Sequence, residues 1–209
     1  MSVDRRGLVA FDLDGTLLRG ATVCEILAVP LGRLEEMRRF EAVTAEADIV
    51  VARQVMAGWY RGHDVAELER SLENATWAPG AKDAVGILQR EGVEVVIASI
   101  TWRFAVSWFA QQVGVRHFLG TAVLASGAIE HVWGRDKARW VSELARARRL
   151  PRSRVAAVGD SATDAELLCA AGVRIFVGAS PLSSVADVIY LPGADLRTVA
   201  QRVLDEWVA

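Results

Sequence analysis

Between Gly80 and Trp207 short apolar runs alternate with charged, helix-patterned stretches, and this alternation constrains the fold more than any other feature of the chain. The helical pattern of Lys82–Glu91 gives way to the apolar run Val93–Ala98, then to a second helical pattern over Phe104–Val113. Thr121–Ala125 and Ile129–Val132 flank Ser126-Gly127 as a hairpin would. Helical periodicity returns at Asp136–Arg148, at Ala162–Ala171 and at Leu196–Trp207, with strand-like runs at Val155–Val158, Arg174–Val177 and Val188–Leu191 between them. Strand and helix alternating in this way predict a parallel sheet covered by helices on both faces. Gly7–Phe11 supplies one more buried strand, and it ends at Asp12. Ala21–Ala78 is helical in pattern, punctuated at Pro30-Leu31-Gly32 and between Gly58 and Gly62, and closed by Trp77-Ala78-Pro79-Gly80. The expected architecture is therefore α/β: a Rossmann-like parallel-sheet core (residues 1–19 and 80–209) with a small helical cap (residues 20–79) inserted after the first strand.

Composition narrows the function. With 209 residues, 52% of them hydrophobic, the chain has material for one α/β domain with an insertion. A net charge of −2 recruits neither nucleic acid nor an anionic membrane. The basic spots at Arg38-Arg39 and Arg146–Arg149 read as solvated helix faces. Two cysteines far apart, Cys24 and Cys169, each in apolar sequence, fit reduced buried thiols and no zinc site. Met1–Arg6 lacks the apolar stretch of a signal peptide, and Val93–Ile100 is too short to cross a bilayer, so a soluble, cytoplasmic protein is expected.

In an open parallel sheet, ligands bind beyond the carboxyl ends of the strands. There the first strand runs into Asp12-Leu13-Asp14-Gly15-Thr16. Carboxylates at i and i+2 of an extended backbone face the same way, which suits either a hard cation or a division into nucleophile and acid–base. A surface turn would use similar residues, but not at the end of so apolar a strand. The next strand ends at Ser99-Ile100-Thr101-Trp102, where a hydroxyl with main-chain N–H groups behind it can bind phosphate or merely cap the following helix. Lys137, at the start of a helix, sits against the dipole and asks for an anion. Gly159-Asp160-Ser161-Ala162-Thr163-Asp164 follows another strand. Asp160 is placed to complete a cation site with Asp12; Asp164 is placed to orient Lys137, to support that cation site, or to cap its own helix.

Taken in order, Asp12-Leu13-Asp14-Gly15-Thr16, Ser99, Lys137 and Gly159 to Asp164 resemble the four motifs of the haloacid dehalogenase superfamily, and the segment from Gly80 onward is similar to its phosphoserine phosphatases. The resemblance implies a phosphatase in which Asp12 is the nucleophile and Asp14 the acid–base. It implies Mg²⁺ held by Asp12, Asp14 (through its carbonyl) and Asp160, with phosphate bound by Ser99, the backbone at Ile100, and Lys137. A second carboxylate at Asp14 favours phosphate chemistry over dehalogenation. The implied substrate is a small phosphorylated metabolite. Phosphotransfer through the same aspartyl-phosphate, and a non-catalytic interaction module on this fold, are the alternatives.

The substrate end departs from the phosphoserine phosphatases. Their amine-binding glutamate is replaced by Ala21, with Glu25 one turn on; their two glycines after the serine are replaced by Ile100 and Thr101; and Thr163 stands where asparagine is usual. These changes point to a less polar or bulkier phosphomonoester. Arg53, Gln54, Trp59, Trp102 and Thr163 are candidates to contact it, with Tyr60, Arg61 and His63 nearby in sequence, although Trp59 fits packing of the insertion better. The sequence assigns no oligomeric state; Trp133 and Trp207 are expected to be exposed, at an interface or at the edge of the core.

Overall fold

The computed structural model describes residues 6–208. The expectation placed on Met1–Arg6, and the ends of the expected core at residues 1–5 and 209, fall wholly or mostly outside the described residues.

Strand β1 (Gly7–Phe11) lies at the centre of a seven-stranded sheet. The other members are β4 (Val93–Trp102), β5 (His117–Val123), β6 (Ile129–Glu130), β7 (Val155–Gly159), β8 (Val173–Phe176) and β9 (Ile189–Tyr190), in the order β6-β5-β4-β1-β7-β8-β9. All neighbours run parallel except β6, which folds back on β5 as a hairpin. Alternate residues of β1 serve opposite faces. Val9 and Phe11 join the core covered by α5 (Ala81–Arg90), α6 (Arg103–Gln112) and α9 (Leu196–Val208), while Leu8 and Ala10 join the core under α7 (Gly134–Ala147) and α8 (Ala165–Ala170). Burial on both faces is why these strands read as unbroken apolar runs.

Residues 22–72 contain four helices, α1 (Val23–Ala28), α2 (Leu34–Glu41), α3 (Glu46–Tyr60) and α4 (Val65–Leu72), flanked by a small antiparallel ribbon of β2 (Leu18–Arg19) and β3 (Thr76–Trp77). The ribbon ties the two ends of this insertion together and carries no sequence signal, being two residues a side. Gly58 lies within α3, so the break falls at Arg61-Gly62 instead.

Strand β4 runs four residues beyond the expected Ala98. Between Ala98 and Trp102 it advances four residues while β5 advances two, from Leu119 to Thr121. The surplus is a bulge at Ser99, Ile100 and Thr101, a device that re-aims side chains at the end of a strand.

Four expectations about burial change. Cys169 is exposed, on the outer side of α8, although Cys24 is half-buried and both thiols are free. Trp207 is buried against Gly7, where an added Cβ would sit 2.5 Å from its ring. Trp133 is half-buried, stacked on His131. Arg148 is no solvated residue of a basic face: it is half-buried and bonds Glu94 in two places.

Among the described residues no helix is long and apolar enough to cross a membrane.

Candidate functional site

The register of the sheet brings the chemistry together. Phe11 pairs with Ile97 on one side and Val158 on the other, so Asp12, Ser99 and Asp160 all emerge at the same carboxyl edge. Asp12 prolongs the strand, its N–H donating to the Val158 carbonyl at 3.0 Å. Gly15 then turns the chain with φ +77°, a conformation that disfavours a side chain, and a Cβ there would lie 2.0 Å from Asp160 Oδ2.

At the centre is a buried ion triad. Lys137, wholly buried on α7, donates to Asp12 Oδ1 at 2.7 Å and to Asp164 Oδ1 at 2.6 Å. Burial acts to lower the lysine's pKa, but the two carboxylates outweigh it and hold the ammonium above its usual range. Asp164 Oδ2 in turn accepts from the N–H groups of Asp160 and Ser161 at 3.1 and 3.2 Å. Thus Asp164 orients Lys137 and closes the turn at Asp160 and Ser161, while it makes no side-chain cap to α8, the other role the sequence offered for it. Gly159 makes room for it, since a Cβ there would come within 2.5 Å of Asp164 Cβ.

Asp160 is half-buried and accepts from Thr16 Oγ1 at 3.3 Å. Carboxylate oxygens of Asp12, Asp160 and Asp164 approach within 4.8 Å of one another. Burial, reinforced by the charge of Asp164, pushes Asp160 up to about 6 and Asp12 well above the usual carboxylate range. Both oxygens of Asp164 are already bonded within the protein, which leaves Asp12 and Asp160 as the side chains fit to hold a hard cation. The gap kept open by Gly15 beside Asp160 fits the same purpose.

Asp14 takes a different direction. Its Oδ1 accepts from the Val23 N–H at 2.7 Å, at the start of α1, and burial pushes its pKa up to about 7. Thr22 and Glu25 form a capping box around that turn, and the Thr22 hydroxyl also donates to Glu41. Cys24 Sγ lies 3.4 Å from the Thr101 hydroxyl, and burial pushes the thiol up to about 12.

Ser99 is buried and accepts from the Thr101 N–H at 3.2 Å, so it closes the bulge. Neither Ser99 nor Thr101 caps α6, whose preceding residue, Trp102, makes no side-chain cap. Ile100 offers its carbonyl to Arg53 and to the Thr121 hydroxyl.

The candidate substrate residues scatter. Arg53 is buried, 5% exposed, with its guanidinium bonded to protein acceptors. Trp102 is also buried, with Tyr60 packed edge-on 5.6 Å away. Trp59 stacks on Phe40 within the insertion, 5.6 Å between centroids. Gln54 is exposed on α3, and Thr163 is exposed and shares a 2.8 Å contact with the Ser161 hydroxyl. Arg61 and His63 are exposed. Glu41, Cys24 and His131 were not singled out for the site. Of the contacts near them, only the Thr22-to-Glu25 box has a sequence signature.

Residues 9–168 match the family model of haloacid dehalogenase-like hydrolases. A phosphoserine phosphatase of Wolinella succinogenes is 27% identical over 92% of this chain and 97% of its own length. One from Archaeoglobus fulgidus is 28% identical over 86% of this chain, which spans only 55% of that longer protein. A solved phosphoserine phosphatase, captured as a phospho-aspartyl intermediate analogue, superposes with a TM-score of 0.78 at 20% identity, over 95% of this chain and 99% of that one.

Proposed function

Because the chain belongs to the haloacid dehalogenase-like hydrolase family, we propose that it hydrolyses the phosphomonoester of a small metabolite through an aspartyl-phosphate on Asp12. The observation that carries this reading is the Asp12–Lys137–Asp164 triad beside Asp160 at the carboxyl edge of the sheet. Lys137 occupies Asp12 Oδ1, so the other carboxylate oxygen is the one left to attack phosphorus. As the phosphorus–oxygen bond to the leaving group breaks, protonated Asp14 gives its proton to the departing alkoxide. A carboxyl raised to about 7 is partly protonated at neutral pH and suits that task. Asp14, now ionised, takes a proton from water; the water oxygen attacks phosphorus and releases phosphate and the free Asp12 carboxylate.

Lys137 and the main chain at Ile100 offset charge on the phosphoryl oxygens, with the Ser99 hydroxyl beside them. Asp12, Asp160 and the Asp14 carbonyl would hold Mg²⁺, which when bound supplies the positive charge that lets a carboxylate approach a phosphate dianion. Residues 20–79 serve as a cap over the core of residues 1–19 and 80–209, and they face the leaving group.

For the substrate, a leaving group less polar or bulkier than serine is supported by Ala21 and by the side chains of Ile100 and Thr101 where the similar enzymes have glycines. Phosphoserine itself is the second reading, favoured by the names of the relatives. The test is phosphate release from a panel of phosphorylated metabolites with Mg²⁺, for the wild type and Asp12→Asn. Turnover abolished by the substitution supports the mechanism. Phosphoserine turned over far above every other ester would decide for the second reading, and no turnover by folded, Mg²⁺-loaded protein would reject both.

A further inference from the structure

We propose that Arg53 is a positioning residue: from the insertion it clamps two core segments, the phosphate-facing bulge at Ile100 and the approach to Lys137 at Val132. The proposal rests on the reading of the site given above. Arg53 Nη2 donates to the Ile100 carbonyl at 3.0 Å and to the Val132 carbonyl at 3.1 Å, while Nη1 lies 3.1 Å from His131 Nδ1. No carboxylate is among these contacts. A buried guanidinium bonded to main-chain carbonyls is holding backbone in place, and its fork spans acceptors that a single ammonium cannot reach together.

The same two segments are also joined from within the core. Thr121 Oγ1 donates to the Ile100 carbonyl at 2.9 Å and accepts from the Val132 N–H at 3.1 Å. Arg53 therefore closes a ring whose other link is Thr121. Trp133, the next residue, lies under the Arg53 guanidinium at 4.7 Å and under Arg135 at 5.6 Å, and Arg135 pairs with Glu46 at the start of α3. The clamp thus engages only when α3 is seated on the core. Ser99 sits one residue before Ile100, and Lys137 one helical turn beyond Trp133, so seating of the insertion is transmitted to both phosphate-facing groups.

The experiment uses Arg53→Met and Arg53→Lys in the full chain with Mg²⁺, p-nitrophenyl phosphate and a carboxylate-bearing ester as substrates, and amide hydrogen exchange. Displacement of reacting groups by about an ångström predicts a loss in kcat of about tenfold or more for both esters in Arg53→Met, with KM changed by less than about threefold. Arg53→Lys should recover part of it. Exchange at Thr101 and Val132 should quicken by about tenfold or more while β1 and β7 keep their protection. Glu46→Gln, which removes the brace on Trp133, should act in the same direction but more weakly, and it covers the case in which Arg53→Met does not fold. A rise in KM confined to the carboxylate-bearing ester, with exchange unaltered, would overturn the proposal and make Arg53 a substrate ligand. If the wild type releases no phosphate from any ester, the hydrolase reading fails, but exchange still judges the clamp: unchanged rates at Thr101 and Val132 sink it.

Discussion

Replacing Lys137 by methionine tests the physical logic of the site, because it removes one charge and little volume. The ammonium lies wholly buried between Asp12 and Asp164, at 2.7 and 2.6 Å. Its loss leaves two buried carboxylates facing one another, and breaking a buried ion pair from one side costs about 3–5 kcal/mol. For a chain of this size, each kcal/mol lowers Tm by about 2–4 °C, so a fall of roughly 6–20 °C is expected near pH 8 in EDTA. The cost should shrink as pH falls, since a proton can take the lysine's place between the carboxylates. The sign follows from linkage: in the variant the folded-state carboxyl pKa is raised further above its unfolded value, so stability is retained at low pH and lost as pH rises. Calorimetric scans of both proteins at about pH 5 and pH 8 measure this. A Tm change below about 2 °C at both pH values would refute the argument, because it would mean that the triad is not an ion cluster in the folded protein.

Other consequences can be measured with the same material. Without metal, the raised pKa values of Asp14 (about 7) and Asp160 (about 6) mean that these two groups contribute stability at low pH that is lost as pH rises through about 6–7; saturating Mg²⁺ should restore most of the loss at the upper end, and a metal-free Tm that climbs from about pH 5 to 8 would contradict this. Gly15→Ala should weaken Mg²⁺ binding by about tenfold or more, read by calorimetric titration, because its Cβ meets Asp160 Oδ2 at 2.0 Å in a left-handed turn; unaltered affinity would exclude Asp160 as a ligand. A thiol reagent should modify Cys169 in the native protein and Cys24 only on unfolding, since a thiol raised to about 12 is about one part in ten thousand thiolate at pH 8. Two fast-reacting thiols in the native state would show that Cys24 is reachable and ionised.

What was legible in the sequence, and what was not, divides along the range of the interactions involved. The strands under two helical layers had to be apolar throughout, and the residues just past them had to be polar if they met a ligand, so Asp12, Ser99 and Asp160 could be located from local pattern alone. Lys137 was conspicuous for a local reason too, a cation at the wrong end of a helix; of its partners, Asp164, 27 residues on, could be proposed from its place after a strand, whereas Asp12, 125 residues back, could not. The bulge in β4 has no local signature, because it exists only through the register with β5. Likewise Trp207 is buried because Gly7, at the other end of the chain, leaves a place for its ring. Arg53 is the clearest case. On α3 it belongs to a helix with few charges, and the sequence offers it as a free cation for a ligand. The fold instead directs it to carbonyls of Ile100 and Val132, 47 and 79 residues further on, and carbonyls are present at every position. A sequence can advertise a side chain that seeks charge. It cannot advertise one that seeks backbone, and at this site the residue joining insertion to core is of that second kind.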